Sequence, residues 1–270
     1  MPQASNDSTL PVIIITGASA GIGAAAAKQL AGKAHLVLVG RSAAIEAVAR
    51  PLGADYYRAD FVNLDSVRRL ATQLLKNYPR IDLLVNNAGG IQADIIITKD
   101  GHESTFQINY LAQFVLTNML MERLIASKAG IINTSSAAHL RARLSLDNLE
   151  QASSTWIAYA NGKLLDVMHA RALNHHYQSQ GVVAVAFHPG VIATNFASGT
   201  RGLFALLYTT PLKHLLKGPD QGADTLVWLV RNRALWQPGA YYVKRKIAAT
   251  HALARDDDAI EKVWQLTEAL

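Results

Sequence analysis

Short runs of β-branched and aliphatic residues alternate with amphipathic segments along most of the chain. Apolar runs of this length, separated by helical patterns, are typical of parallel βαβ units. The pattern predicts seven strands, at Val12–Thr16, His35–Gly40, Asp55–Ala59, Asp82–Asn86, Gly130–Thr134, Val182–His188 and Tyr241–Val243. It also predicts helices, at Gly21–Ala31, Ala43–Arg50, Leu64–Asn77, about His102 to Ile125, and Trp156–Gln178.

The segment from Leu64 to Asn77 shows the helical pattern most clearly, because its apolar residues recur at helical spacing and polar residues fill the other face. Such a helix covers a sheet. Strands and helices that alternate with right-handed crossovers form a doubly wound parallel sheet, with the ligand crevice at the carboxyl ends of the strands. We therefore predict a single-domain α/β fold of the Rossmann type, with about seven strands and helices on both faces.

Composition agrees with one large domain over residues 1–270. Half of the 270 residues are hydrophobic and 17% are charged, and the chain has no cysteine, which excludes disulfides and thiol chemistry. The polar tail at 1–10 lacks the basic and apolar regions of a secretory signal. No apolar run approaches the roughly 20 residues that span a bilayer. We predict a cytoplasmic protein without a membrane span.

The formal net charge of +6 raises the alternative of a nucleic-acid partner. Basic residues are scattered, however, and the densest cluster, Lys244 to Lys246, has no interleaved aromatic residues. We interpret the charge as a solvated basic surface that also attracts a polyanionic cofactor, and we predict no nucleic-acid partner. His175 and His176 point about 100° apart on a helix, so they are not a ligand pair, and we predict no metal site.

A glycine-rich turn follows the first predicted strand and precedes a helix. Gly17, Gly21 and Gly23 lie in this turn, and the alanine-rich stretch after them strongly favours a helix. Glycine lets the backbone approach a pyrophosphate, which the amide protons at a helix N-terminus then bind. A purely structural turn is the alternative, but the position between strand and helix favours a phosphate-binding site.

Further motifs follow in a fixed order, and together they resemble the short-chain dehydrogenase/reductase superfamily. They are the spacing Gly-x-x-x-Gly-x-Gly from Gly17, the element Asn86-Asn87-Ala88-Gly89, Ser136, the pair Tyr159-x-x-x-Lys163, and His188-Pro189-Gly190. The stretch from Ile131 to His139 and the 23 positions from serine to tyrosine look most like the retinol-dehydrogenase-like branch. One departure is visible, since Gly162 stands where the family commonly has a serine.

The resemblance implies a catalytic set of Asn109, Ser136, Tyr159 and Lys163. Tyr159 and Lys163 lie one helical turn apart on the same face, and an adjacent ammonium lowers the pKa of a tyrosine from its reference value near 10. Tyr159 would protonate the developing alkoxide, Ser136 would stabilise its charge, and Asn109 would hold a water that links Lys163 to solvent. Taken alone, each residue also has an ordinary structural interpretation, a surface pair for Tyr159 and Lys163 and a strand-end turn for Ser136.

The resemblance also implies which residues contact a dinucleotide. They are Gly17, Ser19, Gly21, Ile22, Gly23, Arg41, Ser42, Asp60, Phe61, Asn87, Ala88, Gly89, Tyr159, Lys163, Pro189, Gly190, Val191 and Thr194.

The end of the second strand indicates which dinucleotide is used. An NAD enzyme usually places a carboxylate there for the ribose 2′-hydroxyl, whereas this chain has Arg41 and Ser42. A guanidinium suits a 2′-phosphate, so we predict that NADP(H) is preferred over NAD(H). The alternative is that Arg41 is a solvated loop residue, and Ala20 leaves the family's other common basic position empty.

These features predict an NADPH-dependent enzyme that interconverts a small-molecule aldehyde or ketone and its alcohol. Residues 199–219 mix glycine, proline and apolar residues, which indicates a lid that closes over a lipophilic substrate. Ordinary loops that cover the core have the same composition. A non-catalytic NADP-binding sensor or scaffold is the alternative function, because this fold supports binding without turnover. The oligomeric state stays open, with a homo-oligomer as one alternative.

Overall fold

One eight-stranded sheet runs through the described part of the chain, in the strand order β3-β2-β1-β4-β5-β6-β7-β8. The computed structural model describes residues 10–190 and 218–270. The strands are β1 (Val12–Thr16), β2 (His35–Gly40), β3 (Asp55–Arg58), β4 (Leu83–Asn86), β5 (Gly130–Thr134), β6 (Val183–His188), β7 (Tyr241–Val243) and β8 (Lys246–Ile247). Strands β1 to β7 are parallel, and β8 pairs antiparallel with β7. The predicted fold class is confirmed, with one strand more than expected.

Helices cover both faces of the sheet, as predicted. They are α1 (Gly21–Leu30), α2 (Ala44–Ala49), α3 (Leu64–Asn77), α4 (Ser104–Phe106), α5 (Ala112–Met119), α6 (Met121–Ala126), α7 (Thr155–Tyr177), α8 (Pro219–Gly222), α9 (Asp224–Arg231) and α10 (Asp257–Glu268). The long helix predicted from about His102 to Ile125 is divided, because the π-helical turn Gln107–Leu111 separates α4 from α5. Helices α9 and α10 and strand β8 were not predicted from the sequence.

Two hydrophobic layers enclose the sheet because successive side chains of a strand point to opposite faces. On β1, Ile14 packs in the layer with α3, α5, α7 and α10, whereas Ile13 and Ile15 pack in the layer with α1, α2 and α9. All three isoleucines are buried. A strand buried on both faces reads as a continuous apolar run, which explains why the parallel strands were visible in the sequence.

Local sequence sets the ends of several helices. The Asn63 side chain accepts hydrogen bonds from the backbone amides of Asp65 and Ser66 and so caps the start of α3. Helix α6 ends at Ala126, and Lys128, two residues later, has a positive φ of 47°. The bonds from Lys128 N to Ile125 O (2.9 Å) and from Ala129 N to Leu124 O (2.8 Å) form a Schellman motif.

The turn between β7 and β8 consists of Lys244 and Arg245, which have φ values of 48° and 64°. Two consecutive positive φ angles are what a two-residue type I′ hairpin requires, although glycine or asparagine usually supplies them. Arg245 also pairs with Asp224 at the start of α9.

The order of the strands defines where a ligand can bind. Strands β2 and β3 follow β1 on one side, and β4 to β7 follow on the other, so the chain direction across the sheet reverses between β1 and β4. At such a switch point, the loops that leave neighbouring strands separate and open a crevice at the carboxyl ends.

Candidate active site

A cavity of about 960 Å³ opens at the carboxyl ends of β1, β2, β4, β5 and β6. Sixteen of the residues proposed from the sequence line this cavity: Gly17, Ser19, Gly21, Ile22, Arg41, Ser42, Asp60, Phe61, Asn87, Ala88, Gly89, Ser136, Tyr159, Lys163, Pro189 and Gly190. Gly23 and Asn109 lie behind the lining residues. Val191, Thr194 and nearly all of the predicted lid at 199–219 lie outside the described residues.

The turn after β1 is locked against the segment after β4. The Thr16 hydroxyl accepts hydrogen bonds from the amides of Asn87 (2.9 Å) and Ala88 (3.0 Å), and Asn87 Nδ2 donates to Thr16 O at 2.9 Å. Gly17 has a φ of +67°, and a Cβ there would lie 2.8 Å from the Ala88 Cα. A Cβ at Gly23 would lie 2.7 Å from Gly17 O, so Gly23 allows close packing behind the turn. The two loops therefore form one rigid wall.

The wall fits the phosphates of a dinucleotide. Helix α1 begins at this wall, and its N-cap residue, Ala20, provides no side-chain hydrogen bond to the first amides. These amides and the positive end of the helix dipole are suited to an anion. The Ser19 hydroxyl is buried, and no residue in the described part of the chain forms a hydrogen bond with it. Arg41 and Ser42 are exposed at the rim of the same cavity.

Tyr159 and Lys163 project from α7 towards the cavity, as their spacing predicted. Both residues are buried, at 4% and 3% exposure, and the Lys163 ammonium lies 5.7 Å from the centroid of the Tyr159 ring. Lys163 Nζ donates to Thr134 O at 2.9 Å and to Asp166 Oδ2 at 2.8 Å. The Ser135 hydroxyl donates to Lys163 O at 2.6 Å, which ties α7 to the end of β5.

Ser136 was interpreted from the sequence either as a catalytic residue or as part of a strand-end turn, and its position is compatible with both. It caps the 3₁₀-helix Ala137–Arg141, because its hydroxyl accepts from Ala138 N at 3.2 Å, and it also lines the cavity. His139 Nδ1 donates to Ser136 O at 2.7 Å, and burial lowers the pKa of His139. A neutral His139 thus fixes the backbone that carries the serine.

Asn109 lies in the π-helical turn, and backbone groups occupy its side chain. Its Oδ1 accepts from Gly90 N (3.0 Å), and its Nδ2 donates to Gly90 O (2.9 Å) and Thr105 O (2.9 Å). The Asn109 carbonyl accepts from Gln113 Nε2 at 2.7 Å. The structure therefore assigns Asn109 a role in fixing the loop after β4, and the water that it was predicted to hold stays a prediction.

Gly89 lies where Asn109 and Lys163 meet. A Cβ at this position would lie 2.6 Å from Asn109 Oδ1 and 3.3 Å from Lys163 Nζ. A larger residue would therefore displace the side chains of Asn109 and Lys163.

Three residues of the site were not proposed from the sequence: Trp156 lines the cavity, and the Thr134 carbonyl and Asp166 bind the lysine. His188, the first residue of the motif that ends at Gly190, also lines the cavity. Burial lowers the pKa of His188 to about 4, and the nearby His139 adds to the effect. Burial raises the pKa of Asp166 above its ordinary value, whereas the adjacent Lys163 ammonium favours the carboxylate. Asp166 stands three positions after Lys163 on a helix, a spacing that could have identified it.

The family model for short chain dehydrogenases matches residues 11–202, and the chain belongs to this family. A protein of Streptomyces sp. (strain C5) described as a daunorubicin C-13 ketoreductase is 36% identical, over 95% of this chain and 91% of that protein. Human retinol dehydrogenase 13 is 32% identical (95% and 83%), and mouse retinol dehydrogenase 12 is 31% identical (95% and 84%). The resemblance to the retinol-dehydrogenase-like branch is confirmed.

Solved structures show the same fold. An uncharacterized protein from Mycobacterium paratuberculosis superimposes with a TM-score of 0.75 at 27% identity, covering 97% of this chain and 95% of that one. A protein of Shigella flexneri 2A str. 301, described as a short chain dehydrogenase complexed with NADP, gives a TM-score of 0.66 at 26% identity and covers 86% and 95%. This chain is thus an oxidoreductase of a family that binds NAD(P).

None of the helices in the described part of the chain is long and apolar enough to cross a membrane. Among residues 10–190 and 218–270, no group of three or more metal-ligating side chains could hold a metal ion. The cytoplasmic location, the absence of a metal and the oligomeric state stay predictions.

Proposed function

We propose that this protein is an NADPH-dependent reductase that interconverts a lipophilic aldehyde or ketone and its alcohol. The observation that carries the proposal is the Tyr159–Lys163 pair, buried beside a cavity that the glycine-rich turn before α1 also lines. A tyrosine next to an ammonium is a suitable general acid for a carbonyl oxygen, and Ser136 on the same cavity supplies a second hydrogen bond.

The residues of the cavity suggest how the cofactor is held. The amides at the start of α1 and the Ser19 hydroxyl would bind the pyrophosphate, Asp60 and Phe61 would border the adenine, and Lys163 would bind the ribose hydroxyls. A bound nicotinamide supplies or accepts a hydride. The protein's own residues manage the proton: in reduction, Tyr159 gives its proton to the carbonyl oxygen, and Ser136 stabilises the negative charge that develops there.

The lining of the cavity supports a lipophilic substrate. Ile91, Trp156 and Ala138 line it, and the Trp156 ring centroid lies 5.9 Å from that of Tyr159. The relatives described as a ketoreductase and as retinol dehydrogenases act, by their names, on carbonyl and alcohol groups. Apolar contacts of this kind would hold the carbon skeleton while Ser136 and Tyr159 hold the oxygen.

The phenylalanine variant of Tyr159 tests the proposal. Tyr159→Phe should keep the fold and the affinity for NADPH, and turnover of aldehydes and ketones should fall by at least about 100-fold, the usual effect of losing a general acid. Tyr177→Phe, on the same helix but far from the cavity, is the matched control and should retain full activity. NADPH oxidation is followed by its absorbance against a panel of carbonyl compounds.

The same assay separates the enzyme from a sensor or scaffold. Wild-type protein that binds NADPH tightly but turns over no compound of a broad panel would favour the non-catalytic alternative. A Tyr159→Phe variant with most of its activity would remove Tyr159 from the mechanism.

The preference for NADPH depends on Arg41. Its side chain is exposed at the rim of the cavity, beside Ser42, where a 2′-phosphate would lie. A charge-assisted contact is worth about 1.5–3 kcal/mol, or roughly a 10- to 150-fold preference. Arg41→Ala should weaken NADPH binding by this factor and leave NADH binding nearly unchanged, whereas Arg68→Ala on α3 should change neither. Equal affinity of the wild-type protein for both cofactors would contradict the assignment.

A further inference from the structure

Asp166 is a buried acid next to the proposed catalytic lysine that the mechanism above does not use. It lies three positions after Lys163 on α7, and the two side chains are 1% and 4% exposed. The distance from Lys163 Nζ to Asp166 Oδ2 is 2.8 Å. An ion pair this deeply buried costs desolvation energy, and replacing such a pair by apolar residues is often neutral for stability. Fold stability is thus a weak reason for an acid at this position.

The geometry at the ammonium indicates what the acid does. A lysine ammonium carries three N–H donors. One donates to Asp166, and a second donates to the carbonyl of Thr134 at 2.9 Å. The third N–H is left for groups that enter the cavity, which Lys163 lines together with Gly89 and Tyr159. The carboxylate and the carbonyl therefore hold a long, flexible side chain in one orientation at the wall of the cavity.

Asp166 is itself held in place by its surroundings. Its backbone carbonyl accepts from Asn133 Nδ2 at 3.1 Å, which joins this turn of α7 to β5. Two further titratable side chains lie in the same region: His169, one turn along the helix, and Tyr110 from the π-helical turn, whose ring centroid lies 5.9 Å from that of His169. Burial lowers the pKa of His169 to about 3, so this histidine is neutral. Lys163 is the cationic partner that faces Asp166.

We propose that Asp166 is a positioning residue for the proposed reaction: it orients the Lys163 ammonium towards the cofactor ribose, and its negative charge raises the pH at which Tyr159 ionises. The proposal rests on the proposed function, since it assumes that Lys163 binds the cofactor and that Tyr159 transfers the proton.

The Lys163 ammonium lies 2.8 Å from Asp166 Oδ2 and 5.7 Å from the centroid of the Tyr159 ring, so it links the carboxylate to the tyrosine. A negative charge beside this ammonium disfavours the tyrosinate, which is the form needed to accept a proton during alcohol oxidation. Asparagine at position 166 keeps an oxygen acceptor for Lys163 but carries no charge. The tyrosinate should therefore form at lower pH in Asp166→Asn, whereas leucine at this position removes both the charge and the acceptor.

The test combines two variants at Asp166 with one control. Asn174 is also buried on α7, and its amide binds the backbone of Ala184, so Asn174→Leu is a matched change of a buried polar residue away from Lys163. Each protein is compared with the wild type by its dissociation constant for NADPH, the pH profile of kcat for alcohol oxidation, and its thermal midpoint.

Three results are expected. Asp166→Leu should raise the NADPH dissociation constant about tenfold or more, as the loss of a charge-assisted hydrogen bond to the ribose would. Asp166→Asn should bind NADPH within about threefold of the wild type and should lower the apparent pKa of alcohol oxidation by about one unit. Asn174→Leu should lower the thermal midpoint and leave the cofactor affinity and the pH profile unchanged.

The proposal is overturned if Asp166→Leu binds NADPH as the wild type does, or if Asp166→Asn shows an unshifted pH profile. If the leucine variant does not fold, the pH profile of the asparagine variant decides. Wild-type protein that binds NADPH without turning over any substrate would instead refute the proposed function, and the cofactor affinities of the two variants would still test the positioning role.

Discussion

Replacing Gly40 by alanine tests how the end of β2 makes room for the cofactor turn. A Cβ at Gly40 would lie 1.9 Å from Ser19 Oγ and 3.0 Å from the Ile45 Cβ. Atoms cannot approach to 1.9 Å, so the Ser19 hydroxyl has to rotate away. No residue in the described part of the chain forms a hydrogen bond with this hydroxyl. The rotation therefore breaks no hydrogen bond within the described part of the chain, and its main effect is to remove the hydrogen bond that we propose Ser19 donates to a cofactor phosphate.

The size of the effect follows from that contact. A hydrogen bond to a charged group contributes about 1.5–3 kcal/mol, which corresponds to a roughly 10- to 150-fold weaker affinity for NADPH in Gly40→Ala. The tight contact with Ile45 adds overpacking, and we expect about 1 kcal/mol of lost stability from it, the lower end for added methyl groups in a packed interior.

A double-mutant cycle measures the coupling. The NADPH dissociation constant is determined by fluorescence titration for Gly40→Ala, Ser19→Ala and the double variant. Both single changes remove the same hydroxyl contact, so the double variant should bind NADPH no more weakly than Ser19→Ala. Gly218→Ala is the control for stability, because its φ is −66° and its added methyl would meet no atom of residues 10–190 or 218–270 within 4 Å. Unchanged affinity in Gly40→Ala, or losses that multiply in the double variant, would refute the reasoning.

Three further predictions concern stability, each measured by urea unfolding. Lys128→Gly should stabilise the protein by up to about 1 kcal/mol, because glycine adopts the positive φ of 47° at the end of α6 without strain; equal or lower stability would contradict this. Asn63→Ala should destabilise it by about 1 kcal/mol through loss of the α3 cap, and Asn63→Asp should not. Burial lowers the pKa of His169 to about 3 and that of His188 to about 4. Below pH about 6.5 the unfolded chain thus binds more protons than the folded protein. As the pH falls from about 6.5 towards the pKa of each histidine in the folded protein, that histidine should lower the free energy of unfolding by up to about 1.4 kcal/mol per pH unit. A stability that is flat from pH 6.5 to 4.5 would contradict the last prediction.

The sequence predicted the parallel part of the sheet well and its last part poorly. Strands such as β1 are buried on both faces and appear as continuous apolar runs. Strand β8 has two residues, both exposed, so no run marks it. Helix α9 has eight residues and no side-chain cap at Ala223. The start of helix α10 is marked in the sequence, because Asp256 caps it and two further acidic residues follow in its first turn.

Some features of the candidate site could likewise be predicted from the sequence, and others could not. Side chains at fixed spacing, such as Tyr159 and Lys163, were predictable because one helix places both on one face. The carbonyl of Thr134 was not, because the direction of a backbone group at a strand end depends on the assembled fold. The hydrogen bonds of Asn109 to the loop after β4 arise in the π-helical turn, and the sequence gives no sign of this irregular turn.

The short antiparallel strand β8 affects how the protein behaves among its own copies. Without it, β7 would present an open row of amides and carbonyls, on which a strand from a second, partly folded chain could pair. The ladder ends instead after the two pairs Tyr242–Ile247 and Val243–Lys246, and a lysine side chain stands on the outermost strand. Terminal strands that are short and charged discourage further pairing. The β7–β8 hairpin, with its turn at Lys244 and Arg245, therefore discourages aggregation through this edge of the sheet. Both turn residues adopt a positive φ, which is unfavourable for residues other than glycine.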